Sequence, residues 1–434
     1  MRERIAVVGS GIAGLTCAHV LGPHHDVTVY EAAPRLGGHA NTVDVVDPSA
    51  GTIGVDTGFI VHNDRNYPNL VGLFDELGVE TIDTEMSFGV IDRDPESATN
   101  GLAYRATSPN SMFAQRRNIL RPAMWRMLRD VPRFYKAARA LLDDDTVESD
   151  ELSLAEFLER EDYSRDFVEL HLIPMGASVW SADPSSFAEF PARTLFRFLD
   201  NHGLLSVGDR PQWRTVVGGS RTYVDAIARR FSGTIRLSAP VTSIHRDARS
   251  VLVSSLGLVE RYDRVILATH SDQALTMLAD ATPVEQKVLG AVRYQPNTAT
   301  LHTDTSLLAP TKRAWSAWNY ERRSADQREA TLTYDMTALQ HLPGSNRYLV
   351  SLNSDDHIDP SKVLRSFEYS HPVFDADAIE AQRRFDEVDG ADRVHFCGAW
   401  WGYGFHEDGM VSGLRVCHRI GVDWHRSTLL EQVR

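Results

Sequence analysis

The sequence of 434 residues predicts an α/β fold, in which a Rossmann-like nucleotide-binding domain is joined to a discontinuous substrate domain of α+β type. Residues 5–8 form a short, apolar, β-branched run, which is typical of a buried parallel strand. Three glycines follow within residues 9–14, and residues 12–21 have the apolar spacing of a helix. A second short strand over residues 27–30 ends at Glu31. A strand, a glycine turn, a helix and a second strand in this order predict a dinucleotide site.

The residues of the glycine turn have separate physical roles in holding a pyrophosphate. Gly9 permits the tight turn, Gly11 lets the backbone approach the phosphates, and Gly14 lets the helix pack on the strand. The phosphates are expected at the N-terminus of the helix, which begins with Ile12 and Ala13.

The segment after the second strand indicates which dinucleotide is bound. Glu31 follows Gly9 by 22 positions, where a carboxylate accepts hydrogen bonds from ribose hydroxyls and repels a 2′-phosphate. Arg35-Leu36-Gly37-Gly38 comes next. This pattern resembles the extended fingerprint of the flavin-containing amine oxidase superfamily and of phytoene-desaturase-like proteins. The resemblance implies FAD as the cofactor, with the arginine and the glycines along its pyrophosphate and ribityl chain.

A second motif near the C-terminus resembles the same superfamily. Residues 393–413 predict a buried strand, an aromatic glycine loop and a helix start, the closing flavin site of these proteins. Asp408 is placed to cap that helix, and the backbone amide near Met410 is expected to point at the flavin edge where negative charge develops. An acidic residue often follows the glycine at 398 in the superfamily, whereas this chain has Ala399.

Three other segments complete the cofactor site that the resemblance implies. Residues 55–59 resemble the flavin-lining turn, residues 263–275 the strand and Ala-Thr turn beneath the nucleotide, and residues 239–244 the strand that meets the adenine. Beyond the first glycine turn and the residues 35–38, the implied cofactor contacts are Ala32, Thr57, Gly58, Phe59, Val241, Ala268, Thr269, Gly398, Ala399, Gly409 and Met410.

Further segments span almost the whole chain and carry a closer resemblance. They are residues 217–224, 301–304, 314–320, 339–340, 370–374 and 402–409. In these segments the chain is similar to a bacterial group of predicted FAD-dependent oxidoreductases that are associated with cyclopropane-fatty-acid synthases. The resemblance implies a fatty-acyl chain or modified lipid as substrate and a lipid methyltransferase as a partner.

Composition and charge narrow the class of protein. A hydrophobic content of 42% over this length suits a chain with more than one hydrophobic core, and the net charge of −14 argues against nucleic acid binding. Cys17, Cys397 and Cys417 lie in apolar strand or helix contexts, which predicts buried thiols in a reducing compartment. The glycines and the following Pro23 distinguish residues 5–21 from a signal peptide. We therefore predict a cytoplasmic protein, and no metal site.

The cofactor motifs at both ends and in the middle of the chain require discontinuous domains. We predict an FAD-binding domain from residues 1–80, 205–285 and 385–434, and a substrate domain from residues 81–204 and 286–384. The first part of the substrate domain has helical periodicity, and its second part carries strands over residues 294–302, 315–320 and 331–335. The acidic run from Asp143 to Glu151 is interpreted as a solvated loop.

Residues 116–139 differ from the rest of the chain in charge, because they contain a single acidic residue, Asp130. Their basic residues are Arg116, Arg117, Arg121, Arg126, Arg129, Arg133, Lys136 and Arg139. Apolar residues at helical spacing between them are typical of an amphipathic helix that lies on an anionic lipid surface, here the inner face of the membrane. The alternative is a helix that packs on its own domain with its arginines in water. Pro122 and Pro132 predict that the helix has two pieces.

Lysine positions bear on the type of reaction. Amine oxidases usually hold a water near the flavin with a lysine on a substrate-domain strand, and this chain has none on the strand predicted over residues 295–303. Its lysines are Lys136, Lys287, Lys312 and Lys362. Amine oxidation with the usual machinery is therefore disfavoured.

The C-terminal motif also supplies the candidate substrate and acid–base residues. His406 and Glu407 are the first candidates, because they follow the aromatic loop beside the ring and an imidazole titrates near neutral pH. A capping role is the alternative for Glu407. His302 is the second-choice proton carrier, with a hydrogen-bonded core histidine as the alternative. Four aromatic residues either wall an apolar channel at the flavin face or serve only in domain packing: Trp400, Trp401, Tyr403 and Phe405.

These observations predict an FAD-dependent oxidoreductase that transfers hydride between flavin and a hydrophobic substrate. Desaturation, saturation and isomerisation stay open. One alternative is an amine oxidase that produces hydrogen peroxide, and another is a flavin-binding partner of a lipid methyltransferase with no turnover of its own.

Overall fold

The computed structural model describes residues 2–144, 152–181, 183–184, 186–206, 208 and 210–428, so most of the predicted acidic loop before Glu151 lies outside the described residues. The strands in this part of the chain are β1 (Arg4–Val8), β2 (Asp26–Tyr30), β3 (Thr42–Asp47), β4 (Gly51–Asp56), β5 (Val61–Asn63), β6 (Thr81–Thr84), β7 (Phe88–Asp92), β8 (Ala103–Arg105), β9 (Trp213–Val216), β10 (Thr234–Arg236), β11 (Val241–Asp247), β12 (Ser250–Ser255), β13 (Leu258–Tyr262), β14 (Arg264–Leu267), β15 (Arg293–His302), β16 (Trp318–Arg322), β17 (Leu332–Asp335), β18 (Leu349–Leu352), β19 (Val363–Val373) and β20 (Val394–Phe396).

The α-helices of the described residues cover the sheets. They are α1 (Ile12–Leu21), α2 (Pro68–Leu77), α3 (Pro109–Met112), α4 (Pro122–Leu142), α5 (Leu154–Arg160), α6 (Arg165–Phe167), α7 (Ile173–Trp180), α8 (Ala192–Asn201), α9 (Arg221–Arg230), α10 (Ser271–Met277), α11 (Pro283–Gly290), α12 (Met336–Leu339), α13 (Ala376–Arg383), α14 (Phe385–Val388) and α15 (His406–Ile420). None of the helices within these described ranges combines the length and the hydropathy that a bilayer span requires.

A five-stranded parallel sheet in the order β10-β2-β1-β14-β20 confirms the predicted α/β nucleotide-binding fold. Its central strands are apolar and buried on both faces, as a parallel sheet covered by helices requires. Helix α1 starts directly after the glycine turn and is buried along almost its whole length. The buried thiols are found as predicted: Cys17 in α1, Cys397 and Cys417 are all free and buried.

The second large sheet has seven strands in the order β19-β15-β18-β17-β16-β7-β8. It contains the three strands predicted in the second half of the substrate domain. Residues 81–105 were expected to be helical, and that expectation was wrong, because they form β6, β7 and β8. Tertiary pairing decides this segment: Val90 pairs with Tyr104 on one side and with Tyr320 on the other.

Helix α4 runs through Pro132 without interruption, so the predicted break into two pieces was wrong. Pro132 removes one backbone donor on the exposed side of the helix. The opposite side buries Met124, Met127 and Phe134 against the neighbouring helices and the seven-stranded sheet, and this burial holds the helix together across the proline.

The two large sheets follow the predicted division of the chain, whose boundaries remain a prediction. The strands of the parallel sheet fall within residues 1–80, 205–285 and 385–434, and those of the seven-stranded sheet within residues 81–204 and 286–384. A small sheet in the order β5-β9-β6 crosses the predicted boundary at residue 80.

Candidate active site

The glycine turn between β1 and α1 has room for a phosphate. Gly9 has a φ of +99°, and a Cβ atom at Gly14 would overlap the carbonyl oxygen of Gly9. Around Gly11, in contrast, no atom lies within 4 Å of the position that a Cβ would take. No side chain caps the N-terminus of α1, so the amides of its first turn are free for an anion.

Glu31 lies at the end of β2 and orders the same turn. Its Oε2 atom accepts hydrogen bonds from the Ser10 amide (3.0 Å) and hydroxyl (2.5 Å). Its Oε1 atom accepts a hydrogen bond from the Ala33 amide (2.8 Å). The carboxylate also lines the cavity that begins at the glycine turn, where ribose hydroxyls can donate to it.

A cavity of about 830 Å³ extends from this turn to the seven-stranded sheet. Most of the predicted cofactor residues line it: Gly9, Gly11, Ile12, Ala13, Glu31, Ala32, Gly38, Thr57, Gly58, Phe59, Val241, Ala268, Thr269, Gly398 and Ala399. Residues from both ends and from the middle of the chain therefore meet at a single cavity.

The other predicted cofactor residues lie behind this wall. Arg35 donates hydrogen bonds to the carbonyl oxygens of Gly38 (2.8 Å), Leu36 (3.2 Å) and Ala40 (3.4 Å), so it ties the loop together. The remaining four are Gly14, Gly37, Gly409 and Met410. The three glycines among them permit close packing: a Cβ at Gly409, for example, would lie 2.7 Å from Ile12 Cγ2.

The turn at residues 57–59, which is predicted to line the flavin, is anchored by a buried carboxylate. Asp56 accepts hydrogen bonds from the Ser220 amide (2.9 Å), the Thr42 hydroxyl (2.6 Å) and the Gln340 side-chain amide (2.9 Å). Burial raises the pKa of Asp56 to about 6. The segments 217–224 and 339–340, singled out in the sequence, thus hold this turn in position.

The aromatic loop before α15 contributes to the wall of the cavity as predicted for three of its four residues. Trp400, Tyr403 and Phe405 line the cavity. Trp401 does not; it is buried against Phe385, with the two rings perpendicular and their centroids 4.9 Å apart. For Trp401, domain packing is therefore the role that its position supports.

His406 lies in the wall of the cavity, but the prediction that it titrates near neutral pH was wrong. Its ring stacks on Phe59 at a centroid distance of 3.7 Å, and its Nε2 atom lies 3.1 Å from the Tyr223 hydroxyl. Burial lowers the pKa of His406 to about 3, because a charged imidazolium would lose its hydration there. The imidazole is therefore neutral at physiological pH.

Glu407 and His302 are not brought to the cavity wall formed by the described residues. Glu407 accepts hydrogen bonds from the backbone amides of Asn69 (2.9 Å) and Leu70 (3.0 Å), which makes it the cap of α2. His302 is fully buried and bonded to the Ser351 hydroxyl (2.8 Å) and the Asp304 amide (3.0 Å). These positions favour the structural alternative for both side chains.

A cluster of polar rings that the sequence reasoning missed lies in the wall of the cavity. The ring of His39 stacks on Tyr369 at 4.8 Å and lies 5.5 Å from His371 and 6.4 Å from His270. Burial lowers the pKa of His371 to about 4, and that of His39 well below its usual value. Each histidine directly follows a recognised motif residue, Gly38, Thr269 or Ser370, so the motif boundaries were the available signal.

This geometry defines a class of protein: a dinucleotide-binding, two-sheet fold in which the nucleotide turn opens into a cavity at the second sheet. The model of the family described as flavin containing amine oxidoreductase matches residues 12–421, and the chain belongs to that family. FAD is therefore its cofactor, and the open turn, the uncapped α1 and the Glu31 carboxylate in the cavity wall fit that group.

Solved structures with the same fold come from enzymes with different substrates. They include a fatty acid isomerase that produces CLA, from P. acnes (14% identity, TM-score 0.69, 97% of this chain and 99% of the other). Putrescine oxidase with bound putrescine is 15% identical with a TM-score of 0.68 (97% and 99% covered). Cyclohexylamine oxidase from Brevibacterium oxydans is 17% identical with a TM-score of 0.67 (100% of both chains).

A short stretch also resembles a curated protein, L-amino-acid oxidase from Pseudechis australis. The two are 54% identical over 41 residues, which is 9% of this chain and 8% of the length of that oxidase. This match is too short to bear on the substrate.

Replacing Glu31 by alanine is expected to weaken FAD binding by roughly 1.5–3 kcal/mol, because a charge-assisted acceptor for the ribose is lost. The same change removes the acceptor that orders Ser10 and Ala33. Titration of the apoprotein with FAD, followed by flavin fluorescence, measures the effect. The exposed Glu80, replaced by alanine, serves as the control. Equal affinity in wild type and Glu31→Ala would show that the ribose lies elsewhere.

Proposed function

We propose that this FAD-dependent oxidoreductase acts on a hydrophobic substrate, a fatty-acyl chain or a modified lipid. The apolar character of the cavity beyond the cofactor turns carries this proposal. In addition to the aromatic loop, its wall there includes Met86, Trp180, Trp213, Trp318, Leu352 and Phe374. Such a wall removes a hydrocarbon chain from water and offers it close contacts.

The charge distribution in the cavity supports an uncharged substrate segment. Among the described residues, the only carboxylates in the wall are Glu31, which belongs to the nucleotide turn, and Asp272, which is exposed in the first turn of α10. No arginine or lysine contributes to the described wall; Lys362, for example, pairs with Asp304 instead. A substrate ammonium group would therefore find no buried counter-charge in this part of the cavity.

The protein residues in the cavity can orient a substrate and hold protons without carrying charge. The side-chain amide of Asn297 donates to Nδ1 of His371 (3.0 Å), which leaves the proton of this neutral imidazole on Nε2. His406 is likewise neutral and held by Tyr223. When bound, FAD supplies hydride transfer, and the aromatic wall keeps water away from the reacting carbon.

The fold by itself leaves the substrate open, because it serves a fatty acid isomerase as well as putrescine oxidase. The cavity wall is what favours the lipid. Desaturation, saturation and isomerisation are distinguished by their products: the first two change the lipid mass by two hydrogens, and isomerisation leaves it unchanged.

The proposal is tested by mixing the FAD-loaded protein, without oxygen, with unsaturated or branched fatty-acyl lipids and, separately, with amines. We expect a lipid either to bleach the oxidised flavin or to be recovered as an isomer of unchanged mass. Met86→Asp places a carboxylate in the apolar wall and is expected to raise the half-saturating lipid concentration at least about tenfold. Met112→Asp, at a half-buried site outside this wall, is the matched control.

Bleaching of the flavin by amines, followed by release of hydrogen peroxide when oxygen is admitted, together with lipids that stay unchanged, would contradict the lipid proposal and favour an amine oxidase. A flavin that neither lipids, amines nor pyridine nucleotides reduce, together with lipids that are recovered without isomerisation, would instead favour a flavin-binding partner protein.

A further inference from the structure

We propose that a surface patch at the start of α4 docks the protein on an anionic lipid bilayer. The docking patch consists of Ile119, Leu120 and Trp125, together with Arg116, Arg117 and Arg121. It includes a 3₁₀ helix, Arg116–Leu120, and the first turn of α4. This inference is independent of the reaction, because it rests on the outer surface and not on the cavity.

The apolar members of the docking patch are unusually exposed. Leu120 has a relative exposure of 84%, Trp125 of 53% and Ile119 of 45%. Exposing three large apolar side chains to water within seven residues is unfavourable, and a partner that buries them would gain the free energy of apolar burial.

The exposed apolar surface is also held in a fixed shape. The indole Nε1 of Trp125 donates to the carbonyl oxygen of Ile119 (2.8 Å), and its ring lies against Phe113 with centroids 5.4 Å apart. These two contacts fix the backbone next to Leu120, so little conformational entropy is lost when this side chain inserts into a partner.

The arginines of the docking patch have no carboxylate partner among the described residues. Arg116 donates to the Phe113 carbonyl (3.1 Å) and the Asn110 side chain (2.7 Å). Arg117 donates to the Gly101 carbonyl (2.7 Å), and Arg121 to the Thr99 carbonyl (2.8 Å). Their guanidinium charges remain available to an anion outside the protein.

The remainder of the basic segment is built differently. Arg126 pairs with Asp166 (2.5 Å), Arg133 pairs with Asp130 (2.6 Å), and Arg139 pairs with Asp200 (3.3 Å). The apolar side of α4 is buried in the protein interior. The free positive charge and the exposed apolar surface thus coincide only at the start of the helix.

A bilayer with anionic headgroups fits both properties of the docking patch. Its phosphates match the guanidinium groups, and its headgroup–acyl boundary accepts leucine and tryptophan side chains. The negative net charge of the whole chain, −14, would oppose such an approach, so a local cationic patch is needed to overcome it.

The test measures co-sedimentation of the FAD-loaded chain of 434 residues with phosphatidylcholine vesicles, with and without phosphatidylglycerol. We expect binding only to the anionic vesicles, and weaker binding as salt is added. Replacing Arg116, Arg117 and Arg121 together by glutamine is expected to weaken binding roughly a hundredfold. A control with the exposed Arg249, Arg313 and Arg365 replaced by glutamine should bind as the wild type does.

A fluorescent label reports insertion directly. Leu120→Cys can be labelled selectively with an environment-sensitive dye, because the three native cysteines are buried. Anionic vesicles should shift its emission to the blue. The control places the same label at Leu256→Cys, in the turn between β12 and β13, where the native leucine is 67% exposed. This label should not respond.

The proposal is overturned if the arginine variant binds vesicles as tightly as the wild type, or if the Leu256 label responds and the Leu120 label does not. It is also overturned if the wild type does not bind vesicles and the arginine variant differs from it in oligomeric state, as measured by sedimentation velocity. The partner of the docking patch would then be a second copy of the chain.

Discussion

Replacing His406 by alanine is expected to slow substrate-dependent flavin reduction, or lipid isomerisation, roughly 10²- to 10⁴-fold while FAD stays bound. The imidazole lines the cavity and stacks on Phe59, which belongs to the turn predicted to line the flavin. Because its pKa is lowered to about 3, it acts as a neutral hydrogen-bonding group. Its contribution should therefore be independent of pH between about pH 5 and pH 8. Anaerobic rate measurements and the ratio of FAD to protein give the two readouts.

Two variants separate catalysis from packing. His202 is a matched control, because its ring also stacks on a phenylalanine, Phe198, at 4.0 Å, but it lies outside the described wall of the cavity. His202→Ala should keep the rate. Asp408→Ala should instead lower the ratio of FAD to protein. The Asp408 carboxylate accepts a hydrogen bond from the Phe405 amide (2.9 Å) at the start of α15, and its loss should loosen this helix start. A wild-type rate in His406→Ala would leave His406 with a packing role only.

Acidification from pH 7 to pH 5 is expected to remove on the order of 5 kcal/mol from the free energy of unfolding, after the offset by buried carboxylates. Four histidines outside the described cavity wall, His62, His171, His202 and His302, each have a pKa that burial lowers to about 4. A folded-state pKa below the unfolded value of about 6.5 means that the unfolded chain binds more protons. Stability is then full above about pH 6.5 and is lost as the pH falls toward 4.

Between pH 7 and pH 5 each of these histidines lowers the free energy of unfolding by about 2 kcal/mol. Carboxylates such as Asp56, whose pKa is raised to about 6, partly offset this loss. Burial causes the shift of both pKa values, and among the described residues His62 Nδ1 and His171 Nε2 have no hydrogen-bond partner. A loss of several kcal/mol is a large share of the stability of a typical domain.

Urea unfolding at the two pH values measures this effect. His62→Phe removes one such group in an aromatic environment beside Phe74, so the difference between the two pH values should shrink by about 2 kcal/mol. Replacing the exposed His24 by glutamine is the matched control. An unaltered difference in His62→Phe would mean that this histidine does not drive acid unfolding.

Local sequence patterns predicted the cofactor part of the molecule well, because its function is tied to short segments. Gly9, Gly11 and Gly14 must follow β1 directly if α1 is to point at a pyrophosphate, and Glu31 must end β2 to reach the ribose. The order of these elements is readable because each contact is made by backbone or by one side chain at a fixed position. Sequence therefore determined the α/β fold and FAD.

The catalytic environment, in contrast, depends on which side chains from distant segments face one another. Position after the aromatic loop made His406 and Glu407 equivalent candidates, yet one faces the cavity and the other caps α2. The titration of His406 was misjudged for the same reason, since desolvation depends on all the surrounding groups. The ring cluster around His39 combines residues from three separate parts of the chain, so no local pattern marked it.

The basic segment shows the same division at the surface. Its sequence predicted a cationic amphipathic helix, but the spacing of the charges does not show which arginines pair with carboxylates. Asp166 and Asp200 come from other helices and pair with Arg126 and Arg139 only in the folded chain. Tertiary structure thus decided where charge and apolar surface stay free, because both are set by what the rest of the chain covers.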